Sequence, residues 1–241
     1  MGGDQKLTSA EELHALFSDP ARLQTYRYTQ PVVSDCGIDN EKFHLELPYD
    51  AIKAKVEECR DTFLAAVPEQ ERAGLVWEHV GSTSIRGMPG TMMPDSLLIG
   101  QQSISIMNEL YPLHDISITF CFPVPEFPPS RPVIQALLDC GYYFSSAAAL
   151  DPRDLWWMLV FTEGFLKDHK LVLHVVTADN VAAKILRDTR DMCNSEEWAF
   201  NDYKEAKMSA YKDADGEFKD YKQGKGKTSK LLTMLREKYK S

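Results

Sequence analysis

The sequence predicts an α+β fold in which a mostly continuous sheet is covered by helices, and three observations carry that expectation. Apolar residues spaced three and four apart mark amphipathic helices, as at Ile52, Val56, Cys59, Phe63 and Val67. Short runs rich in β-branched and aromatic residues, bounded by turn signals, mark strands. The chain beyond Asp179 reads as helix almost throughout. With 241 residues, 44% hydrophobic, 26% charged and 10% aromatic, the chain can bury a core without staples, and disordered, collagen-like and coiled-coil classes are excluded.

The elements follow in order. Ser9 with Glu12 forms a capping-box pattern, and Asp19-Pro20 is an N-cap followed by proline at the first helical position. Two short helices are therefore expected within an N-terminal helical extension over residues 1–45, ahead of one domain over 46–241. The periodic stretch from Leu47 to Val67 is a helix that packs on a sheet. Leu75 to Val80 reads as a strand, and Gly81-Ser82-Thr83-Ser84 as a turn entering a helix. Ser96 to Ile99 is the next strand, Ile104 to Leu110 a helix and Asp115 to Phe122 a strand. Five prolines between Pro123 and Pro132 remove backbone donors and fix φ, which predicts a loop. Val133 to Cys140 is a helix closed by Gly141, and strands are expected around Tyr142, over Trp157 to Phe161 and over Leu171 to Val176. Asp179 caps a helix running toward Cys193, with further helices over Glu196 to Tyr211 and Phe218 to Tyr239.

Charge and cysteine usage narrow the class. The 27 basic and 36 acidic residues leave a net charge of -9, yet residues 216–241 hold seven Lys and one Arg against three acids. An acidic body with a basic tail that lacks interleaved aromatics beyond Tyr221 and Tyr239 argues against nucleic acid as a partner. Five cysteines with no CxxC pair, no secretory leader and no apolar run of spanning length point to reduced thiols in a cytoplasmic protein that does not enter a membrane. Gly226-Lys227-Thr228 is not a P-loop, because Tyr221 occupies the position of its first glycine and no strand precedes it. HExxH, GxSxG and paired-cysteine motifs do not occur.

The sharpest chemical signal is Gly81-Ser82 followed by Asp95 at the start of a hydrophobic strand. Glycine lets a backbone N–H approach a phosphate, serine adds a hydroxyl, and a carboxylate on the next strand can hold a divalent metal or orient an attacking group. His174 lies on a later strand, where a neutral imidazole can move a proton. Arg187, Lys207, Lys225 and Lys227 supply positive charge if the C-terminal helices fold back over the strand ends.

The wider segment Glu78-His79-Val80-Gly81-Ser82-Thr83-Ser84-Ile85-Arg86-Gly87-Met88, continuing without a gap to Asp95, resembles the GrpB-like family of the polymerase β-type nucleotidyltransferase superfamily. That family carries a similar E-H-[IV]-G-S-T-[AS]-[IV]-x-G-[LM] run. Leu173-His174-Val175-Val176 is similar to its H-L-H-V-V strand, Leu186-Arg187-Asp188 to its F-R-D helix, and Tyr203 with Lys207 to its Y-x-x-x-K. A second Y-x-x-x-K is matched by Tyr221 to Lys225. Thr91-Met92 stands where the family has Lys-Pro, Pro94 where it has a hydrophobic residue, and Val172 at its preceding histidine. In the wider superfamily a second carboxylate sits two residues after the first, and here that position is Leu97.

The resemblance implies a nucleotidyltransferase-like mixed sheet flanked by helices, with the C-terminal helices closing over a cleft. It implies a transferase that binds a nucleotide or another phosphorylated or acidic small molecule, with Asp95 and His174 as catalytic residues and Asp95 as the ligand of a Mg²⁺ ion. Gly81, Ser82, Thr83, Arg187, Asp188, Tyr203, Lys207 and Lys225 would bind phosphate and substrate. Two alternatives stay open: a non-catalytic nucleotide-binding module, and a metal-independent transferase or ligase of small-molecule biosynthesis.

Overall fold

The computed structural model describes residues 7–26, 49–90, 95–99, 129–149, 155–161, 172–175, 181–215, 220–221, 224 and 227–239. Within them the chain is α+β. The helices are α1 (Ala10–Phe17), α2 (Pro20–Thr25), α3 (Tyr49–Ala66), α4 (Glu69–Arg72), α5 (Arg131–Asp139), α6 (Val181–Ser195), α7 (Glu197–Asp213) and α8 (Lys230–Lys238). The strands are β1 (Val76–Val80), β2 (Asp95–Ile99), β3 (Tyr142–Ala149), β4 (Leu155–Phe161) and β5 (Val172–Val175).

The strands form one sheet in the order β1-β2-β5-β4-β3, which leaves β1 at an edge. β1 pairs antiparallel with β2, β2 parallel with β5, and β4 antiparallel with both β5 and β3. Directly paired residues share a face of the pleat. Trp77, Leu173 and Val175 belong to the face whose core includes Val56, Cys59 and Phe63 of α3 together with Val133, Ile134 and Leu137 of α5. The Phe63 and Trp77 rings lie 5.7 Å apart. α1 and α2 enter the same core, where Phe17 meets Phe144 edge-on at 4.9 Å and Tyr26 stacks on Phe144 at 5.3 Å.

A second core joins the segment after β1 to the C-terminal helices. Ile85 and Met88 pack with Ile185 and Cys193 of α6, Ala199 and Tyr203 of α7, and Leu231, Leu232 and Leu235 of α8. Burial pushes the thiols of Cys59 and Cys193 up to about 12, so both are protonated, inert groups at neutral pH.

Local signals explain the helix ends. The Ser9–Glu12 capping box is formed, and Asp19 accepts the Arg22 N–H ahead of Pro20. Three expectations need correction. The loop expected through Pro132 ends earlier: Ser130 caps α5, its hydroxyl accepting the Val133 N–H at 3.4 Å, and Pro132 sits in the first turn where a missing donor costs nothing. The turn after β1 does not enter an α-helix but makes one 3₁₀ turn over Ser82–Ser84. Nor does a continuous helix run from Phe218 to Tyr239. Residues 227–229 are non-helical, and α8 begins at Lys230 because Ser229 caps it, accepting the Leu232 N–H at 3.2 Å. The expected helix over Ile104 to Leu110, the strand over Asp115 to Phe122 and the Asp179 cap lie outside the described residues.

Candidate functional site

The site begins where β1 ends. Gly81 takes φ 72° and ψ −173°, a conformation open only to glycine, and it reverses the chain into the 3₁₀ turn. The Ser84 hydroxyl donates to the Gly81 carbonyl at 2.6 Å. Thr83 is fully buried, and its Oγ1 lies 2.9 Å from Nε2 of His79. From α6, the Asn194 amide donates to the Ser84 carbonyl at 3.4 Å and accepts the Arg86 N–H at 3.3 Å. The turn is thus held from its strand, from within, and from the helix beyond it.

Burial lowers the His79 imidazole to about 4, and the nearby Arg190 guanidinium pushes the same way, so the ring is neutral at physiological pH. It braces the turn through Thr83.

Strand register sets what lies beside this turn. Asp95 pairs with Val80 in β1 and with Val172 in β5, so it starts β2 one residue from Gly81. Leu97 pairs with Glu78 on one side and with His174 on the other. Residues 78, 95, 97 and 174 therefore occupy one face of the sheet. α6 lies against that face at the β1 edge. Arg190 Nη1 donates to Glu78 Oε2 at 2.9 Å and to the His79 carbonyl at 3.1 Å, and Arg187 Nε stands 4.0 Å from Glu78 Oε1. Burial alone would lower the Arg190 guanidinium, but Asp191 and Glu78 together hold it above its ordinary value.

On the outer edge of β1 a cleft of about 400 Å³ opens between α3 and α6. Tyr49, Lys53, Glu57 and Arg60 line it from α3, Trp77, Glu78 and His79 from β1, and Arg190 and Asn194 from α6.

The residues singled out from sequence are distributed as follows. Gly81 and Ser82 form the turn, Asp95 starts β2 opposite Val80, His174 lies on β5, two strands from β1 and level with Glu78, and Thr83 is turned to His79. Arg187 reaches the same Glu78 as Arg190. Asp188 faces α8, where Lys238 Nζ and the Tyr239 hydroxyl both donate to it at 2.7 Å. Those two bonds outweigh burial and hold its carboxyl below the usual range. Lys207 is 1% exposed, its Nζ 5.6 Å from the Tyr203 ring centre inside the helical layer. Lys225 lies outside the described residues.

Sequence reasoning passed over Arg190, Asn194, Lys53 and Arg60. The signal for the first two was available: positions 187, 190 and 194 fall three and four apart, one stripe of α6. Lys53, Glu57 and Arg60 follow the same spacing on α3, on its polar side next to the apolar positions that had been read as core.

These features define an α+β chain whose strand-turn junction after an edge strand is held by α6, which brings Arg187 and Arg190 to Glu78 and Asn194 to the turn. A crystal structure of the conserved protein GrpB from Enterococcus faecalis is similar to it, with 16% sequence identity and a TM-score of 0.44, over 78% of this chain and 96% of that one. No protein-family model matches the chain, and no curated protein matches it significantly. Among the described residues no helix is long and apolar enough to cross a membrane.

Proposed function

We propose that the chain is a transferase of nucleotidyltransferase-like fold that binds a nucleotide or another phosphorylated or acidic small molecule at the junction of the Gly81 turn and β2. The observation that carries the reading is the register pairing Val80 with Asp95 and Leu97 with His174, which starts β2 at Asp95 directly opposite the residue before the glycine-serine turn and puts His174 on the next strand. The Glu78–Met88 segment, similar to that of GrpB-like proteins, supports the same reading. In it the turn backbone and the Ser82 hydroxyl take up phosphate, Asp95 orients the attacking group, His174 accepts a proton, and Arg187 offsets negative charge from α6.

Among the described residues the donor set does not fit a resident Mg²⁺. Asp95 is one carboxylate, the same-face position two residues on is Leu97, and the Glu78 carboxylate opposite it is taken by Arg190. Any Mg²⁺ that takes part arrives with the phosphates of the substrate, and no protein step is assigned to it.

Leu97 also favours the second reading, a nucleotide-binding module without turnover. Isothermal titration with nucleoside triphosphates, with and without Mg²⁺ and on Asp95→Ala, separates them. The transferase reading expects binding that Asp95→Ala weakens at least tenfold, together with slow turnover. Binding that Asp95→Ala and Mg²⁺ leave unchanged, with no turnover, selects the module, and absence of binding rejects both.

A further inference from the structure

The cleft on the outer edge of β1 has its own chemistry. Its volume of about 400 Å³ lies in the range of small-molecule sites. Two walls bring cations to it. Lys53, on α3, forms no hydrogen bond or ion pair among the described residues. Arg60, two turns on, spends its Nε on Asp61 at 2.8 Å and keeps both terminal nitrogens. On the opposite wall Arg190 gives Nε to Asp191 at 2.7 Å and Nη1 to Glu78 and the His79 carbonyl. Its Nη2 has no acceptor among the described residues.

The lining holds Lys53, Arg60 and Arg190 against the carboxylates of Glu57 and Glu78. Glu78 is already shared by Arg190 and Arg187, which leaves Glu57 as the carboxylate of the lining without an ion pair among the described residues. In a chain of net charge −9 the cleft therefore presents unspent cationic donors from two directions. Such a concavity concentrates anions, and a guanidinium fork recognises carboxylate or phosphate oxygens in pairs.

We infer that this cleft binds a small, multiply charged anion, a phosphorylated or dicarboxylate compound, through Lys53 and Arg60 of α3 and Nη2 of Arg190. The residues invoked here, Lys53, Arg60 and Arg190, are not those of the transferase reading.

Isothermal titration of the full chain at low salt, with pyrophosphate and with succinate as probes, tests this. Binding of either probe is expected, and the tighter one tells phosphate from dicarboxylate chemistry. The double variant Lys53→Gln/Arg60→Gln should weaken it at least tenfold; both side chains are solvent-accessible, so the fold survives, and an unchanged thermal melt checks that. Asp95→Ala should leave this affinity in place. Failure of both probes to bind at millimolar concentration overturns the inference, as does a double variant that binds like the parent. Loss on Asp95→Ala alone would assign the anion to the hollow and overturn the cleft.

Discussion

His79 shows how one residue ties sequence to behaviour. It stands one position before the end of β1, partly buried, and its imidazole is lowered from 6.5 to about 4 because burial and Arg190 both oppose the charged form. The unfolded chain takes up this proton first, so the contribution of a neutral His79 is complete above pH 6.5 and is lost as pH falls toward 4. The difference is on the order of 3 kcal/mol. Urea denaturation at pH 7 and pH 4 is expected to show His79→Gln losing less stability than the parent by about that amount; equal losses would show that His79 is not buried as a neutral ring. Some residues of this region were legible: Gly81 from the need for a tight turn, and Asp95 as the edge of a hydrophobic strand. Arg190 was not, because an arginine on a polar helix stripe looks like solvent-facing charge until the strand it reaches is known. Arg187 was picked out by its motif, while its neighbour three positions on does as much for Glu78.

Among the elements, those with their determinants inside their own sequence were readable, and those set by contacts elsewhere were not. The capping box of α1, the Asp19-Pro20 start of α2 and the apolar stripe of α3 are local. The start of α8 is not. Ser229 caps it, but the Asp202 carboxylate, 27 residues earlier on α7, completes the cap by accepting the Ser229 hydroxyl at 2.8 Å, the Leu231 N–H at 3.0 Å and the Lys230 N–H at 3.2 Å. A carboxylate placed against the first turn of a helix satisfies orphan donors and opposes the helix dipole. Asp202→Ala removes three bonds to a charged acceptor and is expected to destabilise the protein by about 2 kcal/mol in equilibrium denaturation. Asp202→Asn, which keeps some of the acceptors, should lose less. If both variants unfold with the parent, α8 is held by Leu231, Leu232 and Leu235 alone.

At the scale of the molecule, the order of strands is the part a sequence conceals, because the parallel pairing of β2 with β5 joins residues more than seventy positions apart. The same holds for the N-terminal helices. Their existence is visible in their caps, but their partners are not: Leu13, Leu16, Phe17, Leu23 and Tyr26 are each no more than 3% exposed and sit in one core with Leu137, Tyr142 and Phe144. Each large side chain of that set contributes roughly 1.5–3 kcal/mol on burial. Deleting residues 1–26 removes five of them and uncovers the side of β3 and α5 that they seal. The combined loss is comparable with the whole stability of an ordinary domain, about 5–15 kcal/mol. The truncated chain should therefore lose its cooperative thermal transition and gain binding of a hydrophobic dye, followed by far-UV circular dichroism and fluorescence. A sharp transition at the parent's temperature would show instead that the sheet and α5 close their own core, and that α1 and α2 rest on a surface stable without them.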